Sequence, residues 1–363
     1  MPEKLTDIFF GDSFIRKLAG SIAEVYPPFD AERFLALVYG ETWEGLALKA
    51  RMHHVTQALH QTLPHDFPQA LQMLKSVAPS FHGFDSMVFP DYVASYGLDH
   101  WELSMPALAL FTPLCSSEYA VRPFIAQDPQ RAMAYLSAWA QDENEHLRRL
   151  ASEGSRPRLP WGMALECFKA DPTPLLPILE VLKDDPSEYV RKSVANNLND
   201  ISKDHPEWVL DLCEAWYGHS PRTDWIVKHA CRGLLKKGNR RAMRLFGFAE
   251  PADIHVEELT LQRTALAIGE ELAYAFDLRV AGQERCKVRL ELRVDYARGG
   301  GKTSRKVFQL GEAHYPPGTH RVERRLSLVD RSVRKHHPGQ HRLVVVVNGV
   351  EKAEAHFDLL QRT

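Results

Sequence analysis

The chain has 363 residues, 45 Lys and Arg against 47 Asp and Glu for a formal charge of -2, 44% apolar residues and a mean hydropathy of -0.32. This length calls for two or three units, the composition excludes a mainly disordered chain, and a near-neutral total gives no ground for a polybasic nucleic-acid or membrane protein. No apolar run reaches the ~20 residues that span a bilayer, and the start MPEKLTDIFFGDSF carries no export signal, so the expectation is a cytoplasmic protein with no membrane partner.

From Asp12 to about Phe248 apolar residues recur at three and four, as in FIRKLAGSIAEVY, FPQALQMLKSVA, RAMAYLSAWA and PEWVLDLCEAWY. This pattern predicts a train of short amphipathic helices. Within it DENEHLRRLASEG, at Asp142 to Gly154, superimposes on DPSEYVRKSVANN, at Asp185 to Asn197, with a shift of 43 residues. Asp142 with Glu145, and Asp185 with Glu188, have the spacing of a cap followed by a carboxylate that starts helices. A third copy, SPRTDWIVKHACRGLL, follows 36 residues later. Periods of this size fit HEAT-like repeats, whose helix pairs bury their apolar faces only against their neighbours.

Beyond Pro251 the pattern changes to alternation. Strand-like runs lie near residues 272–281, 286–296, 304–310, 321–329, 342–347 and 350–359, and Asn348-Gly349 between the last two is a strong hairpin signal. The expected architecture is therefore multidomain α and β: an N-terminal α-helical HEAT-like repeat solenoid over residues 1–250, followed by a C-terminal immunoglobulin-like β-sandwich over residues 251–363. Five cysteines (Cys115, Cys167, Cys213, Cys231 and Cys286) are widely spaced with no C-x-x-C, and the histidines form no H-E-x-x-H, so neither a disulfide framework nor a metal site is expected.

Arg149, Ser152, Glu153 and Arg156 stand at i, i+3, i+4 and i+7, a polar helix face, with Leu147, Leu150, Ala151 and Gly154 on another. Repeat alignment carries the polar row through Lys192 and Asn196, then Lys228, Arg232 and Lys236. From Arg222 to Arg244 there are eight basic residues against one acid, Asp224. In a single repeat such a face reads as solvated; in register across three it can follow a phosphate backbone.

Two carboxylates interrupt this chemistry, Glu153 within SEGSRPRLPW and Glu118 within SSEYAVRPF. A carboxylate on a phosphate-binding face lowers affinity unless it acts once DNA arrives. Cleaving an N-glycosidic bond develops oxocarbenium character at C1′, which nearby carboxylates stabilise while aligning the attacking water. Trp161 offers a π-face for the sugar. Structural alternatives stay open: Glu118 paired with Arg122, Glu153 paired with Arg149 or Arg156, and Trp161 in the core.

SSEYAVRPF, NEHLRRLASEGSRPRLPW and SEYVRKSVANNLNDISKDHP, in that order on a helical-repeat chain, resemble the AlkC family of bacterial DNA alkylation-repair glycosylases, relatives of the AlkD family. The resemblance covers roughly residues 1 to 250, and some members of the family carry a C-terminal immunoglobulin-like domain. It implies a monofunctional DNA-3-methyladenine glycosylase of base excision repair, without metal or organic cofactor. Such an enzyme hydrolyses 3-methyladenine and 3-methylcytosine from double-stranded DNA, gripping deoxyribose and backbone without flipping the base. By the same resemblance Glu118, Glu153 and Trp161 form the catalytic cluster and Arg149 and Arg156 lie beside the backbone. Arg122, Arg148 and Arg158, in the same motifs, are further candidate DNA contacts.

From His255 onward there are 19 Lys and Arg against 14 Asp and Glu, whereas residues 1 to 110 hold 7 against 13, so the neutral total hides segments of opposite sign. The loop Arg298 to Lys306, with Lys302, Arg305 and Lys306, and a second from Arg331 to Arg342, with Arg334 and Lys335, read either as a clamp on DNA or as ordinary solvated hairpins. The competing functional reading is a non-enzymatic HEAT-repeat scaffold for DNA or protein, in which the two glutamates merely pair with arginines. A monomer is the simplest expectation.

Overall fold

In the computed structural model, which describes residues 8–250, 253–330 and 335–361, helices occupy the chain from Asp12 to Leu245 and strands from Ile254 to Leu360. The helices start where short acceptor side chains allow it. Asp30, Asp66, Asp128, Asn144 and Asn239 each cap a helix by accepting a backbone N–H two or three residues on, which satisfies donors the helix itself leaves unpaired.

The 43-residue shift is visible in three dimensions. The helices Glu145–Gly154 and Glu188–Ile201 pack side by side, and the second packs in turn on Pro221–Ala230. Asp142 accepts the N–H of Asn144, and Asp185 that of Ser187, both at 2.8 Å. Arg148 folds back onto the carbonyls of Asp142 and Glu143, and Arg191, its counterpart one shift later, onto those of Asp185 and Pro186. The same turn chemistry thus launches both helices.

Two compact units result, the first ending at Ala230 and the second beginning at Cys231. The change of periodicity at Pro251, itself outside the described residues, marks a change of secondary structure; the compact unit starts earlier because residues 232–249 pack on the strands. Asn348 donates to the Ala249 carbonyl (2.8 Å), Lys287 Nζ to that of Phe246 (3.1 Å), and Phe248 bridges to Lys287. Gly238 approaches Gly349 so closely that a Cβ on it would lie 2.6 Å from the Gly349 carbonyl oxygen. The row expected through Lys228, Arg232 and Lys236 is divided between two helices: Lys228 lies in the last turn of the Pro221–Ala230 helix, and Arg232 begins a separate one, Arg232–Lys236, in the second unit.

The second unit holds β1 (Ile254–Leu261), β2 (Ala265–Ala267), β3 (Glu271–Val280), β4 (Cys286–Ala297), β5 (Thr303–Tyr315), β6 (Gly318–Ser327), β7 (Gly339–Val347) and β8 (Val350–Leu360). They form sheets ordered β1-β3-β6 and β2-β8-β7-β4-β5, antiparallel except for β2 beside β8. Alternate residues of both sheets, among them Leu272, Phe276, Val288, Leu292, Leu343, Val345 and Phe357, build one apolar core. Asn348 and Gly349 take φ of 45° and 79°, as a tight two-residue hairpin requires. All six expected strands are present; β1 and β2 were not expected, one being broken by a bulge at Glu257–Thr260 and the other only three residues long. The opposite face of β4 is also buried, although it carries Arg289, Glu291 and Arg293. Arg289 pairs with Glu291 at 2.8 Å, so the charges there are compensated.

Candidate active site

Glu118 lies in the turn between the Trp101–Cys115 and Arg122–Gln127 helices. Ser116 ends the first helix with φ of +74°, a conformation that strains a residue bearing a Cβ, and its Oγ donates to Glu118 Oε2 at 3.0 Å. Arg149, in the middle of the Glu145–Gly154 helix, donates Nη1 to the same carboxylate oxygen and to Ser116 Oγ (3.0 Å). Its Nη2 stands 3.5 Å from Glu153 Oε1. One guanidinium therefore bridges two carboxylates.

Glu153 is only 6% exposed. Arg156 Nη1 donates to its Oε1 (2.7 Å) and Ser193 Oγ, from the next repeat, to its Oε2 (2.6 Å). Arg156 continues to Asp200 Oδ2 at 2.8 Å. Burial works against the charge of Arg156, but Glu153 and Asp200 outweigh it and hold the guanidinium above its ordinary pKa. Charge-assisted bonds of this kind keep a desolvated carboxylate and guanidinium in place.

Trp161 sits in the loop between Pro157 and Leu165, closed by the Leu165 N–H on the Pro157 carbonyl (3.1 Å). Its side chain is exposed (62%), so it is no core residue, and its φ is +64°. Below the loop Arg122 is fully buried, donating Nη1 to the carbonyls of Gly154 (2.9 Å) and Arg156 (2.8 Å) and Nε to that of Met163 (2.7 Å). Burial pushes its pKa down to about 10. Lys49 Nζ donates to the Trp161 carbonyl at 2.8 Å.

The structure thus joins Glu118, Arg149, Glu153 and Arg156 in one network. Neither structural alternative for Glu118 and Trp161 holds: Glu118 pairs with Arg149 rather than Arg122, and Trp161 is solvent-facing. Glu153, in contrast, does pair with both arginines. The polar face, expected as part of a phosphate-following row rather than a solvated one, is mostly buried, because Ser152, Glu153 and Arg156 meet Ser193, Asn197 and Asp200 of the following helix; Asn197 donates to the Ser152 carbonyl at 2.8 Å.

Three of the expected DNA contacts have intramolecular partners. Arg122 spends its donors on buried carbonyls, Arg148 on Asp185 (2.7 Å) and two carbonyls, and Arg156 on Glu153 and Asp200. Arg158 is held by Asp204 (2.6 Å), and exposed Lys192 pairs with Glu188 (2.7 Å). Asn196, Lys228 and Arg232 are partly exposed and Lys236 is exposed. In the second unit Lys302 and Lys306 are exposed, and exposed Arg305 pairs with Asp295 at 2.8 Å. Arg331 and Arg334 of the second basic loop lie outside the described residues.

Sequence reasoning missed Ser116, Ser193, Asp200 and Tyr189. Tyr189, 41% exposed, lies with its ring 4.9 Å from the Arg149 guanidinium. The repeat shift held a signal for it, since it aligns with His146, whose ring it touches at 5.8 Å. Among the described residues no group of three or more His, Cys, Asp or Glu could hold a metal ion, and no helix is long and apolar enough to cross a membrane.

A helical region followed by an immunoglobulin-like sandwich has counterparts among DNA alkylation-repair proteins. The family model described as a DNA alkylation repair enzyme matches residues 115–234, and that of the C-terminal Ig-like domain of the uncharacterised protein YhaZ matches residues 255–361. Uncharacterized protein YhaZ of Bacillus subtilis (strain 168) is 45% identical over 351 residues, 96% of this chain and 98% of that protein. Pseudomonas fluorescens alkylpurine DNA glycosylase AlkC, solved bound to DNA containing an abasic site analog, is 42% identical with a TM-score of 0.93, covering 99% of this chain and 100% of its own. The chain belongs to the AlkC family.

Proposed function

We propose that the protein is a DNA N-glycosylase that removes cationic alkylated bases, 3-methyladenine and 3-methylcytosine, from duplex DNA, acting as a monomer with HEAT-like repeats against the DNA. The observation that carries this reading is the bridged pair Glu118 and Glu153 in a chain similar over its full length to an alkylpurine DNA glycosylase. A base methylated at N3 carries positive charge, so it departs as a neutral molecule with the electron pair of the glycosidic bond. What the site must then supply is stabilisation of the sugar cation. The carboxylates of Glu118 and Glu153 provide negative charge for C1′ and align a water, which adds at C1′ and gives up a proton; Trp161 packs on the deoxyribose. Since the leaving base needs no protonation, it can remain in or near the stack instead of entering a pocket.

The scaffold reading draws on one specific observation: both glutamates are ion-paired to arginines of the chain itself. Two measurements separate the readings. Incubated with methylated duplex, the enzyme releases free 3-methyladenine and leaves an alkali-labile abasic site; binding without that site favours the scaffold. Glu153→Gln keeps duplex affinity within a few-fold but lowers single-turnover excision by ~10²–10³-fold, the cost typical of removing one group that stabilises developing charge.

A further inference from the structure

Neither family match reaches the N-terminal helices, yet one of them delivers a side chain to the loop that carries Trp161. Lys49 is the second residue of the Leu48–Thr62 helix, an end where the helix dipole disfavours a cation. It is partly buried, and burial lowers its pKa. Against these two costs it makes two contacts. Its Nζ donates to the Trp161 carbonyl at 2.8 Å, and it lies over the ring of Tyr119, the neighbour of Glu118, at 4.5 Å. Trp161 needs such a hold. Its exposed indole is not fixed by packing, and its φ of +64° is one that an unrestrained tryptophan leaves readily. Arg122 secures the loop two residues further on, at the Met163 carbonyl, and the Gly162 N–H bonds the Leu159 carbonyl at 3.1 Å, which leaves the Trp161 carbonyl to Lys49.

We propose that Lys49 is a positioning residue for base excision: through the Trp161 carbonyl and the Tyr119 ring it holds the indole in the orientation that meets the sugar. The kinetic part of this proposal rests on the glycosylase reading; the conformational part does not, so the test has two arms.

In the first arm the full chain is labelled with 5-fluorotryptophan, and the Trp161 resonance is assigned by its loss in Trp161→Phe. Lys49→Met, which keeps the aliphatic stem and removes the donor, shifts and broadens that resonance while the other six tryptophans are unchanged, and Lys49→Arg restores it. An unmoved Trp161 resonance overturns the proposal whatever the enzyme does. In the second arm, single-turnover excision of 3-methyladenine falls by ~10-fold in Lys49→Met, the scale of one lost charged hydrogen bond, with duplex Kd within twofold; Lys49→Arg recovers most of the rate. In a Trp161→Ala background Lys49→Met adds no further loss, because the two residues act through one contact. A fully additive loss there, or borohydride trapping of abasic DNA on Lys49, assigns the lysine a separate chemical role and overturns positioning. If Lys49→Met does not fold, Lys49→Gln is put through the same two arms. No excision by the wild type removes the glycosylase reading and leaves the first arm standing.

Discussion

Arg122 illustrates how an arginine in a candidate DNA-binding motif can be occupied by the protein itself. Gly154, Arg156 and Met163 present carbonyl oxygens that no helix or strand satisfies, and a single buried guanidinium takes all three. Arg122→Met leaves them without a donor, each at ~1–3 kcal/mol, so a destabilisation of about 3 kcal/mol or more is expected in the urea midpoint. A phosphate contact would instead show as lost duplex affinity at unchanged stability. Gly162 belongs to the same arrangement: its missing Cβ would lie 3.2 Å from Arg122 Nε. The residue types of this site could be read along the chain, but not their occupation. RRLASEGSRPRLPW shows many cations, and only the packing of the Glu188–Ile201 helix decides that Arg156 is buried beside Asp200 while Trp161 faces solvent.

Among the elements, helices and strands followed the periodicity closely, because each buries one apolar face and the period reports that face. What the pattern did not reveal was a sheet whose second face is also covered. On β4, Arg289, Glu291, Arg293 and Asp295 alternate with core residues, yet the first three are buried. Burial alone would raise the pKa of Asp295, but Arg305, Arg293 and Arg342 outweigh it and hold the carboxyl below its ordinary value. A carboxylate with a folded value below its unfolded one stabilises the fold fully above about pH 4 and loses that contribution as pH falls further. Asp295→Asn should therefore flatten the fall of the thermal midpoint between about pH 5 and pH 3 relative to wild type. Parallel curves for the two proteins would mean that the arginines do not act on Asp295. The hairpin between β7 and β8 makes a steric prediction. Gly349 has φ of 79°, and a Cβ on it would lie 2.3 Å from Gly238 Cα, so Gly349→Ala should cost more than ~1 kcal/mol in denaturant.

For the whole molecule, the total charge of -2 conceals its distribution. Residues 222–244 and the strand region are basic, and the first 110 residues are acidic. If both basic segments meet the duplex, a chain ending at Ala230 should bind more weakly and with a shallower dependence on salt, since fewer counterions are released. An unchanged slope would remove the second unit from the DNA-binding surface.

The close approach of Gly238 to Gly349 also has a consequence for how the chain can be cut. Between the two matched family segments lie residues 235–254, a stretch that a domain map would treat as a linker. Lys236, Lys237, Arg240, Arg241 and Arg244 make it rich in trypsin sites. Because these residues belong to the compact second unit, brief trypsin treatment of the native chain should spare them. A fragment meant to carry the sandwich intact should begin at Cys231, since one beginning at the strands would leave Lys287 and Asn348 without the partners they hold in the chain before Pro251.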